Sequence, residues 1–182
     1  MKKDIGAHTY LFPMPVLVIG TYNDDNTPNA MTAAWGGILD DNKVFFTLSE
    51  DHLTAKNIKN KKCFTISIGT EDLLDKIDYI GIVSGNDDKQ KFNKAGFTET
   101  KSKIINAPVI NEFTMILECK LIKNTEDGYY HGEILNIIVD DSVLSNNKID
   151  YKKLKPITYD PINHTYIKLG EIAGKAFTHK EI

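Results

Sequence analysis

Hydroxyl and imidazole side chains cluster where an apolar segment gives way to a predicted helix. Ser49, His52 and Thr54 follow the apolar run Val44–Leu48. Backbone N–H groups at a helix start have no intrahelical partner, and the helix dipole favours anions there. The two hydroxyls would complete a cup for a phosphate group, with the imidazole beside them. The alternative is that Ser49 only caps the helix and His52 is a solvated surface residue.

A second polar segment lies earlier in the chain and reads Asn29-Ala30-Met31-Thr32-Ala33-Ala34-Trp35-Gly36. Its small side chains would let a flat polar ring approach the backbone of a strand, which offers donors and acceptors in fixed positions. Asn29 and Thr32 add polar groups, and Trp35 could cover one end of the ring. The alternative is a barrel strand with small inward residues and one core tryptophan.

A tight turn followed by lysines is the third candidate. Ser84-Gly85-Asn86 forms the turn, and Lys89 and Lys91 could neutralise a phosphate. Residues two apart on a helix lie about 200° around its axis, so both lysines cannot readily face one phosphate. The spacing leaves open which lysine would do so. The alternative is a solvated helix face, which is what most runs of the type Asp-Asp-Lys-Gln-Lys are.

Together these segments resemble the flavin-reductase-like, flavoredoxin family of FMN-binding split barrels. The resemblance spans nearly the whole chain in the family's order, and it is carried by Pro15–Thr21, Asn29–Trp35, His52–Thr54, Gly81–Gly85 with Lys91-Phe92, and Tyr166–Glu171. It implies FMN as the cofactor and a homodimer with FMN at or near the subunit interface.

The resemblance and the residue chemistry together predict a set of FMN-binding residues: Asn29, Met31, Thr32, Ala33, Trp35, Ser49, His52, Thr54, Ser84, Lys91 and Tyr166. In the family, a lysine directly before a phenylalanine serves the phosphate, and here that position is Lys91. The family usually has an arginine or a similar cation where this chain has His52. Tyr166 falls in the region where relatives supply an aromatic side chain near the ring.

No catalytic grouping can be argued from spacing, neither a nucleophilic triad nor an acid/base pair. We interpret His131 as a half-buried barrel residue rather than a flavin neighbour, and His8 and His179 carry no signal. A bound flavin performs its own redox chemistry, so a missing triad does not argue against an enzyme.

Three functional hypotheses follow. The first is an FMN-dependent oxidoreductase of the flavin reductase or flavoredoxin type, which passes electrons from NAD(P)H or a protein donor to an acceptor. The second is a flavin-binding electron carrier without its own substrate turnover. The third is a small-ligand barrel that binds no flavin.

The elements that must position these residues are mostly strands. Apolar runs and alternation predict seven of them: Pro15–Tyr22, Thr27–Ala34, Val44–Leu48, Cys63–Ile68, Phe113–Leu121, Tyr130–Val139 and Tyr166–Leu169. Helices are expected at Glu50–Asn60, Glu71–Ile80 and Asp87–Ala95, and residues 140–161 are expected to form a loop. The predicted fold is mainly β, a Greek-key-like split β-barrel with a few peripheral helices, in which closure removes exposed sheet edges.

Length, charge and composition limit the number of domains, the class of partner and the cellular location. The 182 residues suggest one domain over residues 1–182, and the net charge of −3 argues against general nucleic-acid binding. Cys63 and Cys119 are expected to be buried thiols. The N-terminus lacks the apolar core of a signal peptide, and no apolar run approaches the length of a membrane span. We therefore expect a cytoplasmic protein that does not bind membranes.

Overall fold

The computed structural model describes residues 1–178, so His179 and the end of the expected domain lie outside the described residues. Fourteen strands are assigned within that range: β1 Met14–Pro15, β2 Leu17–Tyr22, β3 Pro28–Ala33, β4 Gly36–Asp40, β5 Lys43–Thr47, β6 Cys63–Ile68, β7 Glu99–Lys101, β8 Pro108–Ile110, β9 Met115–Asn124, β10 Tyr129–Val139, β11 Leu144–Ser145, β12 Lys148–Ile149, β13 Ile157–Asp160 and β14 Thr165–Lys168. The helices are α1 Leu53–Lys61, α2 Leu74–Ile82, α3 Lys91–Lys94 and α4 Tyr151–Leu154.

Seven strands form the main sheet in the order β3-β2-β6-β9-β10-β5-β4, and every pairing in it is antiparallel. The sheet curls, because side chains from β2 and from β5, four strands further along, meet in one buried cluster around Phe46, Phe64 and Tyr130. Its two edges, β3 and β4, follow each other in the chain and stay unpaired with each other. This is the predicted split barrel, although the expectation that closure removes the edges is wrong.

A second apolar layer covers the outer face of β2 and β3. It contains Val18 from β2, Ala30 from β3, Ile77 and Ile80 from α2, and Phe92 from α3, all of them buried. The spacing of Ile77 and Ile80 places both on one side of α2, which explains why this short helix packs flat against β3. The layer fixes α2 and the start of α3 beside the sheet edge.

The segment from residue 140 to residue 161 is more structured than expected. It contains a short hairpin, β11 and β12, the single-turn helix α4, and β13. β13 pairs with β14 and also with β1, which makes a small three-stranded sheet. Its sequence, Ile-Thr-Tyr-Asp, is too short and too polar to signal a strand, and one of its two partners, β1, lies far away in the chain.

The helix boundaries also differ from the predictions. α1 begins at Leu53, with His52 rather than Ser49 at the N-cap position. A 3₁₀ turn, Glu71–Leu73, precedes α2, and Thr70 makes no side-chain cap. The expected helix Asp87–Ala95 shrinks to the four residues of α3, although Gly96 does adopt the left-handed conformation expected after it. Among residues 1–178, none of the helices combines the length and apolarity needed to cross a bilayer.

Candidate functional site

A cleft of about 510 Å³ opens at the β3 edge of the sheet, between the start of α1, α2 and the β13–β14 hairpin. Seven of the predicted site residues line it: Met31, Thr32, Ala33, Trp35, Ser49, His52 and Tyr166. The segments around residues 31 and 49 meet there because β3 and β5 both end at this side of the sheet. The cleft volume lies in the usual range for a small-molecule site, which is about 300–1,000 Å³.

A smaller cavity of about 80 Å³ adjoins the cleft, and Met31, His52, Gly81 and Ile82 line both. The remaining predicted residues of its wall are Thr54, Ser84 and Lys91. The first turn of α1 contributes His52, Leu53 and Thr54, so the positive end of the helix dipole faces this space. The small cavity is therefore suited to an anionic group.

Lys91 is a buried cation in the wall of the small cavity, with 3% of its surface exposed. Its Nζ donates to the carbonyl oxygens of Ile80, at 3.1 Å, and Val83, at 2.9 Å, at the end of α2. Burial lowers the pKa of Lys91 to about 8, although the negative charge of Asp88 acts in the opposite direction. An ammonium has three protons to donate, so one is left for a ligand. Lys89, the competing lysine, is exposed and lines neither cavity.

His52 lies in the wall that the two cavities share. Its Nδ1 atom is buried and has no hydrogen-bond partner among the described residues. The side chain is half-buried, so the alternative of a solvated surface histidine is wrong. Ser49 is not the helix cap either; its carbonyl oxygen accepts a hydrogen bond from the N–H of His52 at 3.1 Å, and its side chain lines the cleft.

Asn29 is the one predicted site residue that lines neither cavity. It is buried behind Thr54, and its Nδ2 donates to Thr54 Oγ1 at 2.9 Å and to Thr21 Oγ1 at 3.2 Å. Thr32 lines the cleft, but its hydroxyl donates to the carbonyl oxygen of Ile77 at 2.6 Å. That hydrogen bond ties β3 to α2 and leaves the Thr32 hydroxyl without a proton for a ligand.

Aromatic side chains form the outer end of the cleft. Tyr166 donates to Asp78 Oδ1 at 3.0 Å, and Tyr159 and His164 share a hydrogen bond of 2.8 Å. Burial and the Asp78 hydrogen bond raise the pKa of Tyr166 to about 12, so the phenol stays protonated near neutral pH. Trp35 lies 6.3 Å from Tyr159, measured between ring centroids, and is 49% exposed.

Sequence reasoning missed Asp78, Tyr159 and a cleft position for His164. Asp78 looks like any polar position of an amphipathic helix. Tyr159 lies in the segment 140–161 that the sequence predicts to be a loop, and His164 falls between that segment and the predicted strand Tyr166–Leu169. The pairing of β13 with β14 is what brings them to the cleft. His131 lies away from it, half-buried between β5 and β9, as expected.

Three solved structures are similar to this chain. Flavoredoxin of Desulfovibrio vulgaris (Miyazaki F) is 35% identical with a TM-score of 0.94, and the match covers 100% of both chains. Flavoredoxin from Methanosarcina acetivorans is 25% identical with a TM-score of 0.88 over 98% of this chain and 96% of that one. An FMN-binding domain of a flavin reductase-like enzyme from Shewanella baltica OS155 is 20% identical, with a TM-score of 0.79 over 88% of each chain, and indicates the fold alone.

The family model for the flavin reductase like domain matches residues 9–160. That range contains all the residues that line the two cavities except His164 and Tyr166, and it covers well over half of the 182 residues. The chain belongs to the flavin reductase-like family.

Proposed function

We propose that the protein is an FMN-dependent oxidoreductase, with the FMN phosphate in the small cavity and the flavin ring in the adjoining cleft. The observation that carries the proposal is the continuity of an anion-suited cavity with a cleft large enough for a flat ring. Membership in the flavin reductase-like family and the FMN-binding domain named among the similar structures support the choice of flavin.

The residues of the small cavity fit a phosphate. Lys91 offers an ammonium proton, and the Thr54 hydroxyl, 1% exposed, donates to no acceptor among the described residues. Gly85 keeps the wall thin, because a Cβ there would lie 2.8 Å from Asn29 Oδ1 and 2.9 Å from Leu53 Cδ2. Buried donors without acceptors are costly, so a phosphate would satisfy groups that the protein leaves unpaired.

The larger cleft fits the ring. Met31–Trp35 offers backbone groups beside small side chains. Gly81 packs closely against this strand, because a Cβ added at Gly81 would lie only 3.3 Å from Thr32 Cβ. The unpaired Nδ1 of His52 can donate or accept at the junction of the two cavities. Trp35 and Tyr166 line the outer end of the cleft, where they would cover the ring.

Bound FMN would supply the electron-transfer chemistry, whereas the protein's residues bind, orient and shield it. Tyr166 holds its proton and stays fixed to Asp78, so it serves as a neutral wall of the cleft. Lys91 and Thr54 hold the phosphate and thereby set how far the ring reaches into the cleft.

Turnover separates an enzyme from an electron carrier. We expect the FMN-loaded protein to oxidise NADH or NADPH in steady state with free FMN or oxygen as the acceptor. Normal photoreduction of the bound flavin without any NAD(P)H oxidation would contradict the enzyme and favour the carrier. The carrier hypothesis draws on Trp35, which lines the cleft, and on Ile38 three residues later. They are 49% and 69% exposed and would suit contact with a redox protein.

We also propose a homodimer. Trp35, Ile38 and Leu39 expose large apolar side chains within five positions, at the β4 edge of the split sheet and next to the cleft. An exposed apolar patch at an unpaired edge strand is a typical protein contact surface. A partner subunit covering this patch would also shield the outer end of the cleft.

A further inference from the structure

We propose that Asn29 is a positioning residue: its carboxamide turns the Thr54 hydroxyl so that the hydroxyl proton faces an anion in the small cavity. The inference rests on the proposed function and explains a predicted site residue that the structure places outside the site. Asn29 lines neither cavity, yet it touches the wall of the smaller one from behind.

The hydrogen bonds of Asn29 fix the direction of its carboxamide. Nδ2 has two protons, and both are used, one on Thr54 Oγ1 at 2.9 Å and one on Thr21 Oγ1 at 3.2 Å. The other end of the group, Oδ1, lies against Gly85, where an added Cβ would be only 2.8 Å away. Asn29 is 3% exposed, so water cannot readily replace either contact.

Thr54 is left with a proton to donate. A hydroxyl has one proton and two lone pairs, and Asn29 occupies one of the lone pairs of Thr54. A proton directed back toward the amide would meet another proton, so that orientation is unfavourable. Thr54 is 1% exposed and, within residues 1–178, donates to no protein acceptor, and the residue lines the small cavity. The hydroxyl is therefore held as a donor before any ligand arrives.

One substitution would reverse the direction of the hydrogen bond between residue 29 and the Thr54 hydroxyl. An Asn29→Asp carboxylate has the same shape but only accepts hydrogen bonds, so it would take the Thr54 proton and turn it away from the cavity. Asn29→Ala removes the amide without adding charge and frees the hydroxyl to rotate. The first variant should therefore weaken phosphate binding more than the second.

Asn57 offers a matched control. It is 2% exposed, and its Nδ2 also donates to Thr21 Oγ1, at 3.1 Å, and to Asn23 Oδ1, at 2.8 Å, but it makes no hydrogen bond to Thr54. Asn57 is as buried as Asn29 and belongs to the same hydrogen-bonded cluster of side chains. Asn57→Ala therefore removes an equally buried carboxamide, and Asn57→Asp adds the same charge as Asn29→Asp. A role in folding alone would make the two asparagines behave alike.

The test measures the dissociation constants of FMN and of riboflavin by flavin fluorescence. The proteins compared are the wild type, the Asp and Ala variants of Asn29 and of Asn57, Thr54→Val, and the double variant Thr54→Val with Asn29→Ala. The ratio of riboflavin to FMN constants isolates the phosphate, and thermal unfolding of the flavin-free proteins checks that each folds. We expect Asn29→Asp to lower the ratio about tenfold or more, since the phosphate loses a hydrogen bond to a charged group. Asn29→Ala should lower it by less, about threefold, since the freed hydroxyl can still donate. Both Asn57 variants should keep the wild-type ratio, and Asn29→Ala should add nothing in the Thr54→Val background.

Two results would overturn the inference alone while wild-type FMN preference stays intact. One is an equal loss of FMN and riboflavin affinity in the Asn29 variants, which would mean a purely structural role. The other is a full effect of Asn29→Ala without the Thr54 hydroxyl. A wild-type ratio near one would instead remove the phosphate cup itself, and with it the proposed function.

Discussion

At the scale of residues, Lys91 and Lys89 provide a direct comparison. Lys91→Met keeps a long apolar side chain in the buried space but removes the ammonium, so FMN affinity should fall by about 1.5–3 kcal/mol, which is tenfold or more. Lys89→Met, at an exposed position that lines neither cavity, should change it by less than about 1 kcal/mol. Fluorescence titration measures both. A larger loss at Lys89 would reverse the assignment of the phosphate lysine.

The lowered pKa of Lys91 predicts a pH dependence of its own. Without a ligand, Lys91 loses its proton near pH 8, and a bound phosphate favours the charged form, so FMN binding above that pH must take up a proton. FMN affinity should therefore fall as the pH rises from about 8 to about 9, by up to about tenfold, while riboflavin affinity stays level. The phosphate itself stays fully ionised there, because its second pKa is about 6.

The stability of the flavin-free protein should move in the opposite direction. The unfolded chain holds the Lys91 proton up to its usual pKa of 10.5, whereas the folded chain releases it from about 8. Between these values the unfolded state binds more protons, so the contribution of Lys91 to stability rises with pH and is lowest below about 8. An FMN affinity that does not change with pH would show that Lys91 does not touch the phosphate.

At the scale of elements, the turn between α2 and α3 sets the shape of the small cavity. Gly85→Ala would force a Cβ to within 2.8 Å of Asn29 Oδ1 and 2.9 Å of Leu53 Cδ2. We expect it to cost about 1–3 kcal/mol of stability. It should also weaken FMN more than riboflavin, because the turn that has to shift lines the small cavity. Chemical denaturation and flavin titration would measure the two effects.

Gly174→Ala is the control for that variant, because no atom lies within 4 Å of the Cβ it would add. It should leave both stability and flavin affinity near the wild-type values. A Gly85→Ala protein that also matches the wild type would mean that the turn is loosely packed and does not shape the site.

The elements that could be predicted from sequence are those with local signals. β6 was predicted with its exact ends at Cys63 and Ile68, and the pairing of β2 with β3 followed from the turn between them. Cys63 and Cys119 are buried free thiols, as expected. The starts of α1 and α3 lie later than predicted. Ser49 is a good capping residue, but the chain begins α1 after His52, and the predicted first turn from Asp87 is not helical before α3 begins at Lys91.

The site residues also separate into those with a local signal in the sequence and those without one. Met31–Trp35 and His52–Thr54 could be found because each lies in one continuous segment with a chemical pattern. The positions of Asp78, Tyr159 and Asn29 depend on packing between distant segments. Alternation along a strand shows which side chains share a face, but not which neighbours each side chain meets there. Asn29 was therefore predicted to face the ligand although it lies behind Thr54.

At the scale of the whole molecule, the apolar patch of Trp35, Ile38 and Leu39 predicts self-association. Light scattering should give the mass of a dimer, and Ile38→Glu should shift it toward the monomer, because a charge would be buried in the interface. Ile104→Glu, at a position 53% exposed in a different loop, is the control and should stay dimeric. A wild-type monomer that holds flavin tightly would mean that one chain completes the site.

The central claim is that a phosphate-bearing flavin fits two joined cavities, and a paired titration tests it most directly. Flavin-free protein is titrated with FMN and with riboflavin under identical conditions, and the quenching of flavin fluorescence gives both dissociation constants. Because Lys91, Thr54 and the start of α1 face the small cavity, we predict that FMN binds at least about tenfold more tightly. Equal affinity for the two flavins, or no binding of either, would contradict the account.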